Sequence, residues 1–233
     1  MKKNIKIFAF IFVRGGSIRL KNKNILSFNN KPLFMNSVDQ AKKILNINKI
    51  FVSSDSKKIE TICRNKKYVE FIKRPKKLAT STSKEILAWK HALKFVEKKY
   101  GNFDYFLSLP ATNPLRKLSD IKKFIKKCEN RNKNKIFISI SKLKKNILEN
   151  IVFKSEEKIV SFKKKFFQRS IKKNLFTING SIYLSKKENI EKIKKNIFDL
   201  NVIGIETNPN NSIDIDDIND FKIAKSLLSR WSI

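Results

Sequence analysis

Hydrophobic and polar residues alternate in blocks along this chain, and the spacing inside the blocks is of two kinds. Short, nearly continuous apolar runs are typical of strands that are covered on both faces. Segments whose apolar residues recur every three or four positions are typical of amphipathic helices. The strands predicted in this way are residues 5–13, 49–53, 69–72, 103–109, 136–140, 181–184 and 202–206. Because helical segments lie between them, the sequence predicts an α/β fold with a mainly parallel central sheet and helices on both faces.

The helical segments carry start and stop signals of their own. The predicted helices are residues 31–45, 84–100, 119–128 and 218–228, together with a helix that follows Ser56. Ser56 and Ser119 are predicted N-caps, because a hydroxyl at that position can accept a hydrogen bond from an N–H of the first turn. Leu45 is predicted to share the apolar face of the first helix, and Trp89 is predicted to lie in the core.

The pattern changes between residues 142 and 175. Two short apolar pieces, residues 151–153 and 159–162, flank a polar stretch at residues 155–158, and this arrangement predicts a β-hairpin. No internal repeat and no Gly/Ser-rich linker divides the sequence. We therefore predict a single domain, residues 1–233, with an inserted arm at about residues 142–175.

The charge of the chain allows two interpretations. Its 233 residues include 53 Lys and Arg against 20 Asp and Glu, a formal net charge of +33, which is the footprint of a nucleic-acid-binding protein. However, Lys is spread along nearly the whole chain and is accompanied by a surplus of Asn, Ile and Phe, residues that share A/T-rich codons. Compositional bias is therefore the favoured explanation, and nucleic-acid binding is kept as the alternative.

Several classes of protein are excluded or disfavoured by the sequence. No uncharged apolar run of about 18 residues is present, so no membrane-spanning helix is predicted. The first apolar stretch is interrupted by Lys6 and lacks the cleavage site of a signal peptide. Cys63 and Cys128 have no nearby Cys or His partner, which excludes a zinc cluster or a disulfide scaffold. A cytoplasmic protein without a membrane partner is expected.

A glycine pair follows the first predicted strand. Gly15 and Gly16 lie in a loop that also carries several basic residues, and two of the five glycines of the chain are found there. Adjacent glycines let backbone N–H groups turn toward an anion, and open α/β sheets bind ligands at the carboxyl ends of their strands. The loop is predicted to bind phosphate; a tight surface turn is the alternative.

A second candidate site lies near the carboxyl end of the chain. Asp214 and Asp216 alternate with isoleucines, a pattern typical of a strand, so both carboxylates are expected on the same side. Two carboxylates on one side favour a site for a hard cation. Asp217 and Asp220 are predicted instead to cap the final helix.

Seven stretches, in order, extend these observations over essentially the whole chain. They are RGGSIRLKNKN at residues 14–24, VSSD at 52–55, RPKKLA at 74–79, HAL at 91–93, LPATNPLR at 109–116, NGSIY at 179–183 and IDID at 213–216. Together they resemble the acylneuraminate cytidylyltransferases, also called CMP-sialic acid synthetases. The resemblance implies a Rossmann-like nucleotidyltransferase fold, a homodimer built with the help of the arm, and a reaction in which CTP and a nine-carbon 2-keto acid sugar give a CMP-sugar and pyrophosphate with Mg²⁺.

The resemblance also implies a role for individual residues. Nucleotide-binding roles fall on Arg14, Gly15, Gly16, Ser17, Lys21, Lys23, Asn24, Arg74, Ala79 and Pro110. Sugar-binding roles fall on Gln168, Arg169 and Asn179, and the metal is assigned to Asp214 and Asp216. In the implied mechanism the anomeric hydroxyl attacks the α-phosphorus of CTP, Arg14 and Lys23 offset the charge, and Asp214 is either a metal ligand or the base.

The sequence departs from the family's pattern at three positions. Ile18 stands where the family commonly has Lys, Lys21 where it has Pro, and Ser81 where it has Asp. Because a triphosphate needs positive charge nearby, we predict that Lys21 replaces the cation missing at Ile18, with Arg19 as the competing candidate. The nearest alternative substrates are 3-deoxy-manno-octulosonate, pseudaminate and legionaminate; binding of a specific nucleic acid is not expected.

Overall fold

The computed structural model describes residues 5–129, 135–143, 152–155, 158–161 and 175–230. The strands in these residues are β1 (Ile7–Phe12), β2 (Ser27–Phe28), β3 (Lys31–Pro32), β4 (Ile47–Ser54), β5 (Glu70–Lys73), β6 (Tyr105–Ser108), β7 (Lys135–Lys142), β8 (Val152–Ser155), β9 (Lys158–Ser161), β10 (Phe176–Lys186) and β11 (Asn201–Glu206). The α-helices are α1 (Leu33–Lys42), α2 (Lys57–Arg64), α3 (Glu85–Tyr100), α4 (Leu118–Glu129), α5 (Lys187–Lys192) and α6 (Ile218–Arg230).

Seven of these strands form the central sheet, in the order β11-β7-β10-β6-β1-β4-β5. The pairs β1–β4, β1–β6, β4–β5 and β7–β11 are parallel. Strand β10 is antiparallel to both of its neighbours, β6 and β7. The prediction of a mainly parallel sheet is therefore confirmed, and β10 is the strand that departs from it.

The sheet is covered on both faces because its central strands are apolar on both sides. On β1, Ile7, Ala9 and Ile11 pack with the apolar residues of α1, α2 and α4, whereas Phe8 and Phe10 pack with those of α3 and α5. This alternation is the period of two expected for a strand. Helix α6 instead packs on the short hairpin β2–β3, where Phe221 meets the ring of Phe28. The prediction of helices on both faces is confirmed.

The element boundaries differ from the sequence-based prediction in a few places. The first helix ends at Lys42, and Leu45 is 99% exposed because Ile44, at 3% exposure, fills the apolar position in the core. Ser119 lies inside α4 and not before it, since the first helical hydrogen bonds run to the carbonyl of Lys117. The short helix α5 was not predicted, because six residues carry too little periodicity.

Two further outcomes concern the arm and the core. Strands β8 and β9 form an antiparallel hairpin, as the pattern at residues 151–162 predicted. Trp89 is 2% exposed and lies in the core. The division into one domain with an inserted arm, and the role of that arm in a dimer, stay predictions. Within the described part of the chain, no helix is long and apolar enough to cross a membrane.

Candidate active site

A cleft of about 330 Å³ opens at the carboxyl ends of β1, β5 and β6. Parallel strands end at the same edge of a sheet, so the loops that follow them converge there. Among the predicted site residues, those that line the cleft are Arg14, Ser17, Lys23, Asn24, Arg74, Ala79, Pro110, Asp214 and Asp216. Residues separated by as many as 202 positions, Arg14 and Asp216, thus meet in one place, as the resemblance implied.

One glycine of the pair, Gly15, forms a hydrogen bond that was not predicted. The N–H of Gly15 donates to Oδ1 of Asp55 at 2.8 Å, so it is not available to an anion. A Cβ atom on Gly15 would lie 2.8 Å from Cβ of Ser56, whereas a Cβ on Gly16 would meet nothing within 4 Å. The expectation that glycine N–H groups of this loop turn toward an anion is therefore wrong for Gly15, whose hydrogen bond holds the loop to the turn after β4, and it stays a prediction for Gly16.

This contrast predicts different results for two conservative substitutions. Gly15→Ala is expected to lower the free energy of unfolding by about 1–3 kcal/mol, because the added methyl group is forced against Ser56. Gly16→Ala meets no neighbour and is the matched control, with an expected change within about 0.5 kcal/mol. Urea unfolding of both variants gives the comparison. Equal stability of the two variants would contradict a packing role for Gly15.

The loop after β1 brings Lys23 and Asn24 into the wall of the cleft. Asn22 adopts a left-handed conformation with φ of 56°, and the one-turn 3₁₀ helix Lys23–Ile25 follows it. Asn24 Nδ2 donates to the carbonyl of Arg14 at 3.0 Å, while its Oδ1 is buried without a hydrogen-bond partner among the described residues. A buried acceptor that lines a cleft is available to a ligand that carries a donor.

Asp216 binds two cations of the same loop. Its Oδ1 lies 2.9 Å from Nζ of Lys23, and its Oδ2 lies 2.6 Å from Nη2 of Arg19. Burial opposes ionisation of Asp216, but the hydrogen bonds and charges of these two partners outweigh it and lower its pKa. Lys21 is exposed and lies outside the lining, so its role stays a prediction, and Arg19 is the cation that contacts a cleft residue.

Asp214 is held in a different environment. It faces the cleft, and its pKa is raised chiefly by desolvation and by the charge of Asp216, against a hydrogen bond from Thr112. The backbone N–H of Ile215 donates to the carbonyl of Thr112 at 2.9 Å. Residues 212–216 form no strand, because they make this one backbone hydrogen bond to the loop after β6 and not the series of bonds that joins two strands. Nevertheless, both aspartates line the same cleft, as the alternation predicted.

The two acidic residues that follow serve the final helix. Oδ1 of Asp217 accepts from the N–H groups of Asn219 and Asp220 at 2.7 and 3.0 Å. Oδ2 of Asp220 accepts in return from the N–H groups of Asp216 and Asp217. This reciprocal arrangement is a capping box. The prediction that Asp217 and Asp220 cap α6 is confirmed.

Arg116 holds the loop after β6 in place through hydrogen bonds of its guanidinium group. It is 3% exposed and donates to the carbonyls of Pro110 and Ser181 at 2.9 and 2.6 Å, to Oε1 of Gln40 at 2.6 Å and to Oγ of Ser37 at 3.3 Å. Burial lowers the pKa of Arg116 to about 9, which leaves the guanidinium protonated at neutral pH. Arg116 therefore positions the Pro110 loop against β10 and α1.

Asn179, one of the predicted sugar-binding residues, forms hydrogen bonds within the protein. Nδ2 of Asn179 donates to Oγ of Ser141 at 2.6 Å and to Oγ1 of Thr207 at 2.8 Å, and its Oδ1 accepts from the N–H of Ser181. Its amide thus connects β10 to β7 and to the residue after β11, so a direct sugar contact by Asn179 is not supported. The neighbouring Gly180, with φ of +64°, lines the cleft instead. Gln168 and Arg169 lie outside the described residues.

The structure adds cleft residues to which the sequence analysis gave no role. Glu85 begins α3, Tyr183 lies on β10, and Thr112 follows β6; all three line the cleft. Desolvation and the charges of Glu85 and Asp214 raise the pKa of the Tyr183 hydroxyl. Tyr183 and Thr112 belong to the quoted stretches NGSIY and LPATNPLR, which is the signal that could have found them. The described residues hold no group of three or more His, Cys, Asp or Glu side chains suited to a metal ion.

Comparison with known proteins identifies the family. Residues 8–229 match the family described as Cytidylyltransferase. The chain is 30% identical over 231 residues to the post-translational flagellin modification protein B of Campylobacter coli, covering 98% of this chain and 97% of that protein. It is 30% identical over 226 residues to the CMP-N,N'-diacetyllegionaminic acid synthase of Campylobacter jejuni, covering 96% and 95%. It is 28% identical over 225 residues to the N-acylneuraminate cytidylyltransferase of Escherichia coli, covering 94% and 51%.

Solved structures show the same fold at low sequence identity. A CMP:2-keto-3-deoxy-manno-octonic acid synthetase complexed with CTP matches with a TM-score of 0.72 at 12% identity, over 97% of this chain and 99% of that one. The match shows that the two chains share a fold. The match over residues 8–229 shows that the chain belongs to the cytidylyltransferase family of enzymes, which confirms the resemblance found in the sequence.

Proposed function

We propose that this protein transfers CMP from CTP to the anomeric hydroxyl of a nine-carbon 2-keto acid sugar in the cytoplasm, where CTP is made, and releases pyrophosphate. The observation that carries the proposal is the composition of the cleft, which contains the cations Arg14 and Lys23 as well as the carboxylate of Asp214. Cations neutralise a triphosphate, and a carboxylate can accept the proton of an attacking hydroxyl. The legionaminic acid synthase and the N-acylneuraminate cytidylyltransferase among the relatives support a sugar of the legionaminate or N-acylneuraminate type.

Positioning and charge carry most of the chemistry in this proposal. Phosphoryl transfer needs little covalent participation from a protein, provided that the attacking oxygen and the leaving group are in line. Arg14 and Lys23 offset the charge that develops on the triphosphate. Ser17 and Asn24, which line the cleft, supply polar contacts to CTP. Asp214 is the carboxylate of the cleft that receives the proton of the anomeric hydroxyl.

The two aspartates fit a role in holding Mg²⁺. Both oxygens of Asp216 are bound by Lys23 and Arg19, whereas Asp214 is bound by Thr112 and keeps free lone pairs toward the cleft. Mg²⁺ is usually held by one or two carboxylates, with phosphate oxygens and water completing its shell. We propose Asp214 as the direct ligand and Asp216 as the residue that positions Lys23. The bound ion supplies charge neutralisation and lowers the pKa of the attacking hydroxyl.

We also propose a homodimer that uses the arm at residues 142–175. The hairpin β8–β9 forms its own two-stranded sheet, apart from the central one. Phe176 and Ile178, at the point where the chain returns from the arm, are 38% and 41% exposed. Burial of such side chains against a second copy is favourable. In this arrangement Gln168 and Arg169 bind the sugar, and Arg169 binds its carboxylate, because the planar fork of an Arg matches a carboxylate bidentately.

A panel of keto acid sugars tests the substrate. Pyrophosphate release is measured with CTP and N-acetylneuraminate, legionaminate, pseudaminate or 3-deoxy-manno-octulosonate. One of the three nine-carbon sugars is expected to exceed the eight-carbon sugar in kcat/KM by at least about tenfold. The eight-carbon sugar lacks part of the nine-carbon substrate and therefore loses the contacts that this part makes with the enzyme. A preference for 3-deoxy-manno-octulosonate would overturn the assignment while leaving the cytidylyltransferase chemistry in place.

A further inference from the structure

Glu85 is a carboxylate in the cleft to which the proposed reaction gives no role. It is the first residue of α3 and is exposed toward the cleft. Nε1 of Trp89, one turn further along the helix, donates to its Oε1 at 3.1 Å. Trp89 is itself 2% exposed and packs against the rings of Phe106 and Tyr183, with centroids 5.1 and 5.3 Å away. Trp89, which anchors the carboxylate of Glu85 through this hydrogen bond, is therefore held rigidly.

This anchor leaves one carboxylate oxygen without a partner. Within the described part of the chain, the contact with Trp89 is the hydrogen bond that Glu85 forms, and it uses Oε1. Oε2 is thus an acceptor in the cleft. An ionised carboxylate can only accept hydrogen bonds, so the group that belongs opposite Oε2 is a donor.

Arg74 supplies donors on the same wall. It is 7% exposed, its Nη2 donates to the carbonyl of Ser53 at 2.8 Å, and its Nε is buried without a partner among the described residues. The charges of Arg74 and Glu85 act on each other across the cleft wall. Arg74 and Glu85 both line the cleft, so its wall carries a guanidinium as well as a carboxylate.

A donor and an acceptor in one wall match the edge of the base that the enzyme must select. Cytosine presents the acceptors O2 and N3 and the donor amino group N4, whereas uracil presents an acceptor, O4, in place of that amino group. We propose that Glu85 accepts a hydrogen bond from the N4 amino group of CTP and thereby selects CTP against UTP, with Arg74 facing the acceptor side of the same edge. Uracil would place O4 against the carboxylate, and two acceptors repel each other. The inference rests on CTP as the nucleotide of the proposed function and names how it is recognised.

The substitution Glu85→Gln tests this assignment because it changes one atom. The amide oxygen of Gln can keep the bond from Trp89, and its NH₂ group then takes the place of Oε2 as a donor. Binding of CTP and of UTP, each with Mg²⁺, is measured by isothermal titration calorimetry at about pH 8 and again at about pH 9, because desolvation raises the pKa of the Glu85 carboxyl and a higher pH favours its ionised form. The wild type is expected to prefer CTP. The ratio of Kd for UTP to Kd for CTP is expected to fall at least about tenfold in Glu85→Gln, with tighter UTP binding.

Two other variants control for indirect effects. Glu85→Ala is expected to weaken CTP without strengthening UTP, because it offers no donor. Glu60→Gln removes a first-turn carboxylate from α2, outside the cleft lining, and is expected to leave the ratio unchanged. An unchanged ratio in Glu85→Gln overturns the proposal. The proposal is also overturned if Glu85→Gln loses only the discrimination between CTP and 2'-deoxy-CTP, because that result would place the carboxylate at the ribose.

The binding measurement also separates this inference from the proposed function. It needs no sugar, so preferential CTP binding that responds to Glu85→Gln supports the inference even if no keto acid sugar is turned over. Conversely, turnover of a keto acid sugar with an unchanged CTP-to-UTP ratio in Glu85→Gln supports the reaction and rejects the role of Glu85.

Discussion

Replacing Asp214 with Asn is expected to lower kcat by about 100- to 1,000-fold, the range found when one preorganised charged or polar group is removed from a transition state. Asn keeps the size of the side chain and can still accept a hydrogen bond from Thr112, so the loop should keep its position. Asn lacks the negative charge with which Asp214 would hold a cation and accept a proton. Because Asp214 faces the cleft and does not support the core, the melting temperature of the Asp214→Asn variant should stay near that of the wild type.

Asp216→Asn provides the comparison for this prediction. Both oxygens of Asp216 are bound by Lys23 and Arg19, so its loss is expected to weaken CTP binding and thermal stability more than the chemical step. Single-turnover rates at saturating CTP and Mg²⁺ separate binding from chemistry. A near-normal single-turnover rate in Asp214→Asn would contradict the assignment of metal and base to this residue.

Lys23→Met is expected to reduce kcat/KM for CTP by about 10- to 100-fold. A charge-assisted hydrogen bond contributes about 1.5–3 kcal/mol, and Lys23 offers its charge from a buried position in the cleft wall. Met replaces the apolar stem of Lys and removes only the ammonium group. The effect on the KM of the sugar should be smaller, because Lys23 lies in the loop after β1 together with Arg14.

Lys21→Met is the matched control for Lys23→Met. It removes the same charge from the same loop, at a residue that is exposed and outside the lining. A small change in Lys21→Met and a large one in Lys23→Met would assign the triphosphate to the buried cation. Weakening of CTP by Lys21→Met to a similar degree would instead support Lys21 as the substitute for the cation missing at Ile18.

The sheet could be predicted because its strands are apolar on both faces. The apolar runs at residues 5–13 and 103–109 predict buried strands from the local sequence alone, and β1 and β6 lie within them. The direction of β10 could not be predicted, because it depends on pairing with β6 and β7 and not on the composition of residues 181–184. Parallel and antiparallel neighbours produce the same local apolar pattern here.

The site was predictable only where the motifs preserved an order known from a family. Alternation placed Asp214 and Asp216 on one side, but it gave no reason to bring them to Arg14; the resemblance did. Gly15 shows the limit of local rules, since its N–H contacts Asp55, a residue 40 positions away. Glu85 was overlooked because a single acidic residue at the start of a helix usually stabilises that helix.

The most direct test of the account is a ³¹P NMR spectrum of the wild-type enzyme with CTP, Mg²⁺ and the sugar that the panel identifies. Attack of the anomeric hydroxyl on the α-phosphorus predicts one phosphodiester signal of a CMP-sugar for each pyrophosphate formed, and no CTP consumption without the sugar. Formation of CMP and pyrophosphate without a phosphodiester, or CTP consumption that does not depend on the sugar, would contradict transfer of CMP to a keto acid sugar.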